Sequence, residues 1–219
     1  MRGQLHVRKE VTPIPSNRSV EVGSVGNADR SDADGETRQV VVELVSDPSE
    51  APDVAAVAAA TFPLACPPHS APGDITEFIR TSLDAQSFAD YIASEQSDVL
   101  VARTEEGAVV GYSLVHHRPP TAPDVAAVIT ERASSEISKM YVVSEHHARG
   151  RTDPPAHLLM GAAIEAARGR GSVLVWLGVN QENVRAQRFY AKMGFERAGV
   201  KTFDLNGSIE NDFILTRRL

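Results

Sequence analysis

The chain carries one cysteine, Cys66, among 219 residues. That excludes an internal disulfide and any metal site built from several cysteines. Cys66 reads as a small buried apolar residue, not a nucleophile. Aromatic residues are scarce at 5%, and the first 38 positions hold none. No run approaches the roughly 20 apolar residues of a membrane span. No apolar stretch of roughly 7 to 15 residues follows the basic start, so no signal peptide is read there. Acidic residues outnumber basic ones, 29 to 22, for a net charge of −7. This balance argues against a nucleic-acid partner and suits a cationic substrate. The expectation is a cytoplasmic protein without a membrane partner.

Residues 1–38 are polar and lack a sustained apolar period, so they read as a disordered N-terminal tail. Residues 39–219 are long enough for one domain with a full core. "VVVELV" from Val40 is a β-branched run, and Ser46 or Asp47 can cap a helix after it, with Pro48 at the first helical position. "APDVAAVAAATF" reads as an alanine-rich helix closing at Pro63. Asp74 can cap "ITEFIRTSL", and "AQSFADYIAS" is a further amphipathic piece. "DVLVARTEEGAVVGYSLVHHR" reads as a hairpin about Glu105-Glu106-Gly107. A long connection without clear period, Pro119 to Ser135, leads to the strand "EISKMYVVS". A helix from about Pro154 to Arg168 ends in "GRG". "SVLVWLGV" suits a strand buried on both faces. "NVRAQRFYAKMG" is a helix, and a closing hairpin turns about Asn206-Gly207. The order is β-α-α-β-β-β-α-β-α-β-β. It implies an α/β fold, a mixed central sheet with helices on both faces, and one parallel crossover between Glu136 and Val179.

Four features then converge. "KMYVVSEHHARGR" runs a strand into a basic glycine turn. "VWLGVNQENVRAQRFYAKMGF" has the spacing N-x-x-A-x-x-x-Y from Asn183 to Tyr190. "AGVKTFDLNGSIENDFIL" is a hairpin, and the element order extends the match from about residue 39. On these features the chain resembles the Gcn5-related N-acetyltransferases. The strand pattern around Tyr141, "WLGV" and the closing strand are closest in flavour to bacterial polyamine acetyltransferases. The resemblance implies acetyl transfer from acetyl-CoA, as co-substrate, to a primary amine of a small molecule, a polyamine among the candidates. Two other readings stay open, a CoA-binding regulatory module and an acetyltransferase for protein lysines or N-termini. Dimers are frequent in the family, which leaves a homodimer open.

The resemblance also implies residue roles. The backbone of Met140, Tyr141 and Val142 would pair with the pantetheine arm, which requires their strand to splay from its neighbour. His147, Ala148, Arg149, Gly150, Arg151 and Thr152 would form the pyrophosphate loop, and Asn183 would contact the cofactor. Tyr190 would protonate the departing thiolate. Spacing alone leaves Tyr190 equally a core aromatic. Some family members carry a glutamate at about the place of Gly178. Here Glu136 is the substitute general base, although it equally fits an edge-strand carboxylate in water. Asn180 reads as a helix cap, and Asn183 as a cap or a cofactor contact. His116-His117 and His146-His147 are adjacent pairs. Neighbours on a strand point to opposite faces, so neither pair makes a zinc site, and no metal is expected.

The turn "HHARGRTDPPAH" departs from the family pattern. Gly150 is in place, and Arg149 and Arg151 can pair with phosphates directly. Asp153, however, is a good N-cap, and its carboxylate would compete for the N–H groups that hold a phosphate at a helix start. Pro154 and Pro155 remove two donors.

Overall fold

The computed structural model describes residues 40–147, 154–205 and 207–219. The expected disordered tail, residues 1–38, lies outside the described residues, as do Ala148 to Asp153 of the turn. Strands β1 (Val40–Leu44), β2 (Ser97–Thr104), β3 (Val109–His116), β4 (Ser134–Val142), β5 (Leu174–Asn180), β6 (Glu196–Leu205) and β7 (Ser208–Arg218) form one sheet in the order β1-β2-β3-β4-β5-β7-β6. Only β4 and β5 pair in parallel, and the other neighbours are antiparallel. This is the mixed sheet the element order implied. Gly107 (φ 86°) and Gly207 (φ 95°) hold the left-handed conformations that the two hairpin turns need.

Helices α1 (Ala51–Thr61), α2 (Pro72–Ser82) and α3 (Ala85–Ala93) join β1 to β2. The amphipathic piece from Ala85 is therefore a helix of its own. Its cap is Asp84, whose carboxylate accepts from Ser87 N at 2.8 Å. Asp47 accepts from Ser49 N at 2.9 Å and so caps a short 3-10 turn before α1. The expected cap at Asp74 is corrected. Helix α2 begins at Pro72, whose fixed φ suits a first helical position, and Asp74 sits inside the first turn. The long connection contains one short helix, α4 (Pro123–Ala126). Helices α5 (Pro155–Gly169) and α6 (Val184–Lys192) flank β5. The cap position of α5 is Pro154, and the helix begins at Pro155. No helix among the described residues is long and apolar enough to cross a membrane.

The core has two sides. On one, Leu159, Met160, Ala163 and Ile164 of α5 are buried against Val175 and Leu177 of β5. On the other, Val54 and Ala58 of α1 and Phe88 of α3 are buried against Val99, Val101, Tyr112 and Leu114. Val125 and Ile129 of the long connection cover Trp176 and Ile214. Apolar residues on both faces of β5 follow from this double cover. Phe88 has no exposed surface and meets the Tyr112 ring edge-on at 5.3 Å. Its removal leaves a cavity bounded by helix and sheet that cannot collapse easily. Phe88→Ala is expected to cost about 3–5 kcal/mol of unfolding free energy, read as a lower urea midpoint at unchanged slope.

Candidate active site

The site begins with a ladder that stops. β4 and β5 pair only at Ser134–Leu174, Ser135–Val175 and Glu136–Trp176. Beyond Glu136 the two strands no longer pair. On its other edge β4 remains paired with β3, through Met140–Ser113, Tyr141–Tyr112 and Val142–Gly111. The edge of β4 toward β5 thus leaves backbone N–H and C=O groups unclaimed by any strand, as the expected splay requires. The β3–β4 register also shifts between Leu114–Lys139 and Val115–Ile137, a bulge at Ser138. One extra residue resets the alternation of side chains. Glu136, Lys139 and Tyr141 consequently share the face toward α1 and α2, while Ile137, Met140 and Val142 pack toward α5.

The opening between the strands is a cavity of about 550 Å³. Met140, Tyr141, Val142, His147, Asn183 and Tyr190 all line it, together with Glu136. These seven expected site residues therefore come together. Ala148, Arg149, Gly150, Arg151 and Thr152, the remainder of the expected pyrophosphate loop, lie outside the described residues. Helix α6 supplies one wall. Asn183 caps it, with its side-chain oxygen accepting from Ala186 N at 3.0 Å. Asn180, expected as the cap, instead accepts from Glu182 N at 2.8 Å and builds the turn before α6. At the cavity mouth His147 Nε2 donates to Val142 O at 2.8 Å. That leaves Nδ1 as the acceptor for Arg185 Nη2 at 2.9 Å. Tyr190 lies between the Phe189 and Phe195 rings, at 5.4 and 6.0 Å. Burial pushes its hydroxyl pKa up to about 12, so it keeps its proton at neutral pH.

The opposite wall is charged. Glu136, Lys139, Lys201, Glu210 and Asp212 all face the cavity. β4 is a central strand, so the reading of Glu136 as an edge carboxylate in water is corrected. Burial raises its pKa, against the opposing pull of Lys139. Lys201 Nζ lies 3.7 Å from Asp212 Oδ2. The Asp212 carboxyl is still pushed up, because desolvation outweighs Lys201. Glu210 accepts from Ser70 Oγ at 3.2 Å and from Asn180 Nδ2 at 3.4 Å. Gly178 explains how this wall fits together. A Cβ there would collide with Lys201 Cε and come within 3.0 Å of Asp212 Oδ2. The space of a Gly178 side chain is filled by an ion pair from the neighbouring strands.

Sequence reasoning missed Lys139, Lys201, Glu210 and Asp212 as cavity residues. Polar residues at alternate positions of β7, Glu210 and Asp212, were the available signal, since they share a face with the apolar Ile214. Cys66 is half-buried in the cavity wall and is not a fully buried core residue, because it sits at the turn after α1. Burial pushes its thiol up to about 11, which makes it a poor nucleophile. His116 and His117 part to opposite sides, as expected. His116 Nδ1 meets Ser97 Oγ at 2.9 Å beside the Tyr91 ring of α3. His117 bridges Asp98 Oδ2 and Ser135 Oγ, each at 2.8 Å.

A model of the acetyltransferase (GNAT) family matches residues 61–195. An uncharacterised N-acetyltransferase of Mycobacterium tuberculosis is 39% identical over 171 residues, 78% of this chain and 99% of that relative. Among solved structures, the PaiA N-acetyltransferase of Thermoplasma acidophilum in complex with coenzyme A aligns over 83% of this chain and 99% of its own, with TM-score 0.60 and 17% identity. YncA of Salmonella typhimurium, solved with acetyl-CoA, aligns over 83% of this chain and 94% of its own, with TM-score 0.58 and 16% identity. At such identities the two structures share a fold with this chain.

The charged wall makes a stability prediction. Asp212→Asn leaves the Lys201 ammonium half-buried without its carboxylate. The expected loss is about 2 kcal/mol at pH 7, measured by chemical denaturation. The double variant Asp212→Asn, Lys201→Met should recover part of it, because the stranded charge is gone.

Proposed function

The chain belongs to the GNAT acetyltransferase family, and from that premise we propose that it transfers an acetyl group from acetyl-CoA to a primary amine of a small molecule, with residues 39–219 as the catalytic domain. The observation that carries this reading is the gap between β4 and β5, lined by Met140 to Val142 on one side and α6 on the other. Backbone groups that no neighbouring strand claims, along one edge of a cavity, suit an extended, amide-bearing chain such as the pantetheine arm. Asn183 and His147 would hold the cofactor further along, with Ala148 to Thr152 at its pyrophosphate. Acetyl-CoA, when bound, supplies the activated acetyl group.

The residues of this chain supply the proton traffic. An ammonium cannot attack a carbonyl, so the acceptor must first lose a proton. Glu136 is the base in this reading. Its half-buried carboxylate faces the cavity, and its raised pKa brings its proton affinity nearer to that of an amine. Tyr190 is the acid. Its hydroxyl stays protonated at neutral pH and can give that proton to a thiolate as it leaves. A polyamine acceptor draws support from the three carboxylates of the wall, whereas its two lysines oppose a ligand that carries only positive charge.

Stabilisation by acetyl-CoA in a thermal shift assay, followed by thiol release on an amine panel, tests the reading. Absence of any shift at millimolar acetyl-CoA would overturn it. Tyr190→Phe keeps the ring contacts with Phe189 and Phe195, so the fold should hold. Its kcat is expected to fall by about 100-fold, and an unchanged kcat removes Tyr190 from the proton-donor role. For Glu136 the sign is fixed by burial. The base works only when deprotonated, so kcat/KM should drop as pH falls through a value above the ordinary 4.5. Glu136→Gln should lower kcat/KM and abolish that acid limb.

A further inference from the structure

Of the five charged residues on this wall, three have hydrogen-bond or ion-pair partners within the fold, while among the described residues Glu136 and Lys139 do not. Lys201 and Asp212 have each other, and Glu210 has Ser70, Asn180 and the exposed His69, whose Nε2 is 3.3 Å away. Lys139 differs. Its side chain is half-buried and leans on the Phe78 ring of α2, with Nζ 5.9 Å from the centroid. Among the described residues no carboxylate stands within ion-pair distance of its ammonium. The bulge at Ser138 turns Lys139 into the cavity beside Glu136. Burial opposes its charge, and Glu136 only partly restores it.

A half-buried ammonium without an anion is costly unless a ligand provides one. The cofactor's phosphates are poor candidates for that anion. The cavity mouth at His147 and Arg185 is reached through Val142, three residues or about 10 Å further along β4. Lys139 instead sits on the α2 side, in the wall that also carries Glu136, Glu210 and Asp212. Carboxylates and an unpaired ammonium on one wall match a ligand that bears both signs.

Building on the acetyl-transfer reading above, we propose that the acceptor is a small zwitterion of the amino-acid class, with Lys139 pairing with its carboxylate while the acidic side chains of the wall hold its ammonium. A polyamine would meet the acids but would also bring its cations against Lys139 and Lys201. A zwitterion satisfies both sets of charges. Lys139 is thereby a specificity-determining residue.

Matched acceptor pairs that differ by one carboxylate test this: L-lysine against cadaverine and L-ornithine against putrescine, with spermidine and the remaining protein amino acids completing the panel. Thiol release is followed on the full chain at saturating acetyl-CoA, after a thermal shift has shown that acetyl-CoA binds. The expected result is a preference of about tenfold or more in kcat/KM for the carboxylate-bearing member of at least one pair, or turnover of another amino acid with none on the bare amines. Lys139→Met, close in size and compatible with Phe78, should bring that preference toward one, while KM for acetyl-CoA stays unchanged. Lys139→Arg should retain it in part. Equal or better turnover of the bare amines by the wild-type protein overturns the proposal and leaves the acetyl-transfer reading standing. An unchanged preference in Lys139→Met, with the acetyl-CoA shift intact, overturns it as well. No turnover of any amine with acetyl-CoA bound, or no binding of acetyl-CoA, sinks both readings together.

Discussion

The backbone ladder between β4 and β5 ends at Glu136 and Trp176, and the site depends on that ending. A parallel pair that continued in register to Met140 and Asn180 would use up the inner edge of β4 and close the cavity. The bulge at Ser138 lies two residues beyond the last pair. It bends β4 and lets it stay bonded to β3 while it departs from β5. Double cover by α1–α3 and α5 packs the apolar faces of the parted strands, so the gap does not collapse.

The same departure gathers charge. Glu136 and Lys139 would point to opposite faces of a regular strand at a spacing of three. The inserted residue puts them on one face. Antiparallel register brings Lys201 opposite Asp212, and Asn180 opposite Asp212 on the other side of β7. Gly178 leaves the space that the ion pair fills. A carboxylate that some family members place on β5 is thus absent here, and Asp212 of β7 with Lys201 of β6 occupies its position instead. Desolvation raises the pKa of Glu136 and of Asp212, while Lys139 and Lys201 pull the other way. The wall is a compromise between charges that face a ligand and charges that face each other.

Much of the fold was legible. Alternation and turn residues fix β2–β3 and β6–β7 as hairpins, and the apolar run of β5 states that both its faces are covered. The spacing from Asn183 to Tyr190 places both on the cavity side of α6, because their separation of seven residues is close to two helical turns. The capping role expected of Asn180 went to Asn183, since cap preference is shared by both and only the backbone path selects one. The start of α2 went to Pro72 over Asp74 for a related reason, as either residue suits a first turn. The edge-strand reading of Glu136 stayed open beside its role as base because strand order in a sheet is not written in local pattern.

The sequence by itself determined the elements, their order, the apolar faces and the family motifs, all of which are short-range patterns along one chain. Tertiary structure alone decided the length of the β4–β5 ladder, the bulge and the meeting of Glu136, Lys139, Lys201, Glu210 and Asp212. Those residues come from three strands far apart in the chain. Their proximity comes from pairing register across four strands, and a shift of one residue would turn any of them to the other face. A lysine in an apolar strand looks like a solvent-facing charge until the helix that covers it is in place. Here α2 and its Phe78 supply that cover, and they turn Lys139 from a surface charge into a cavity wall.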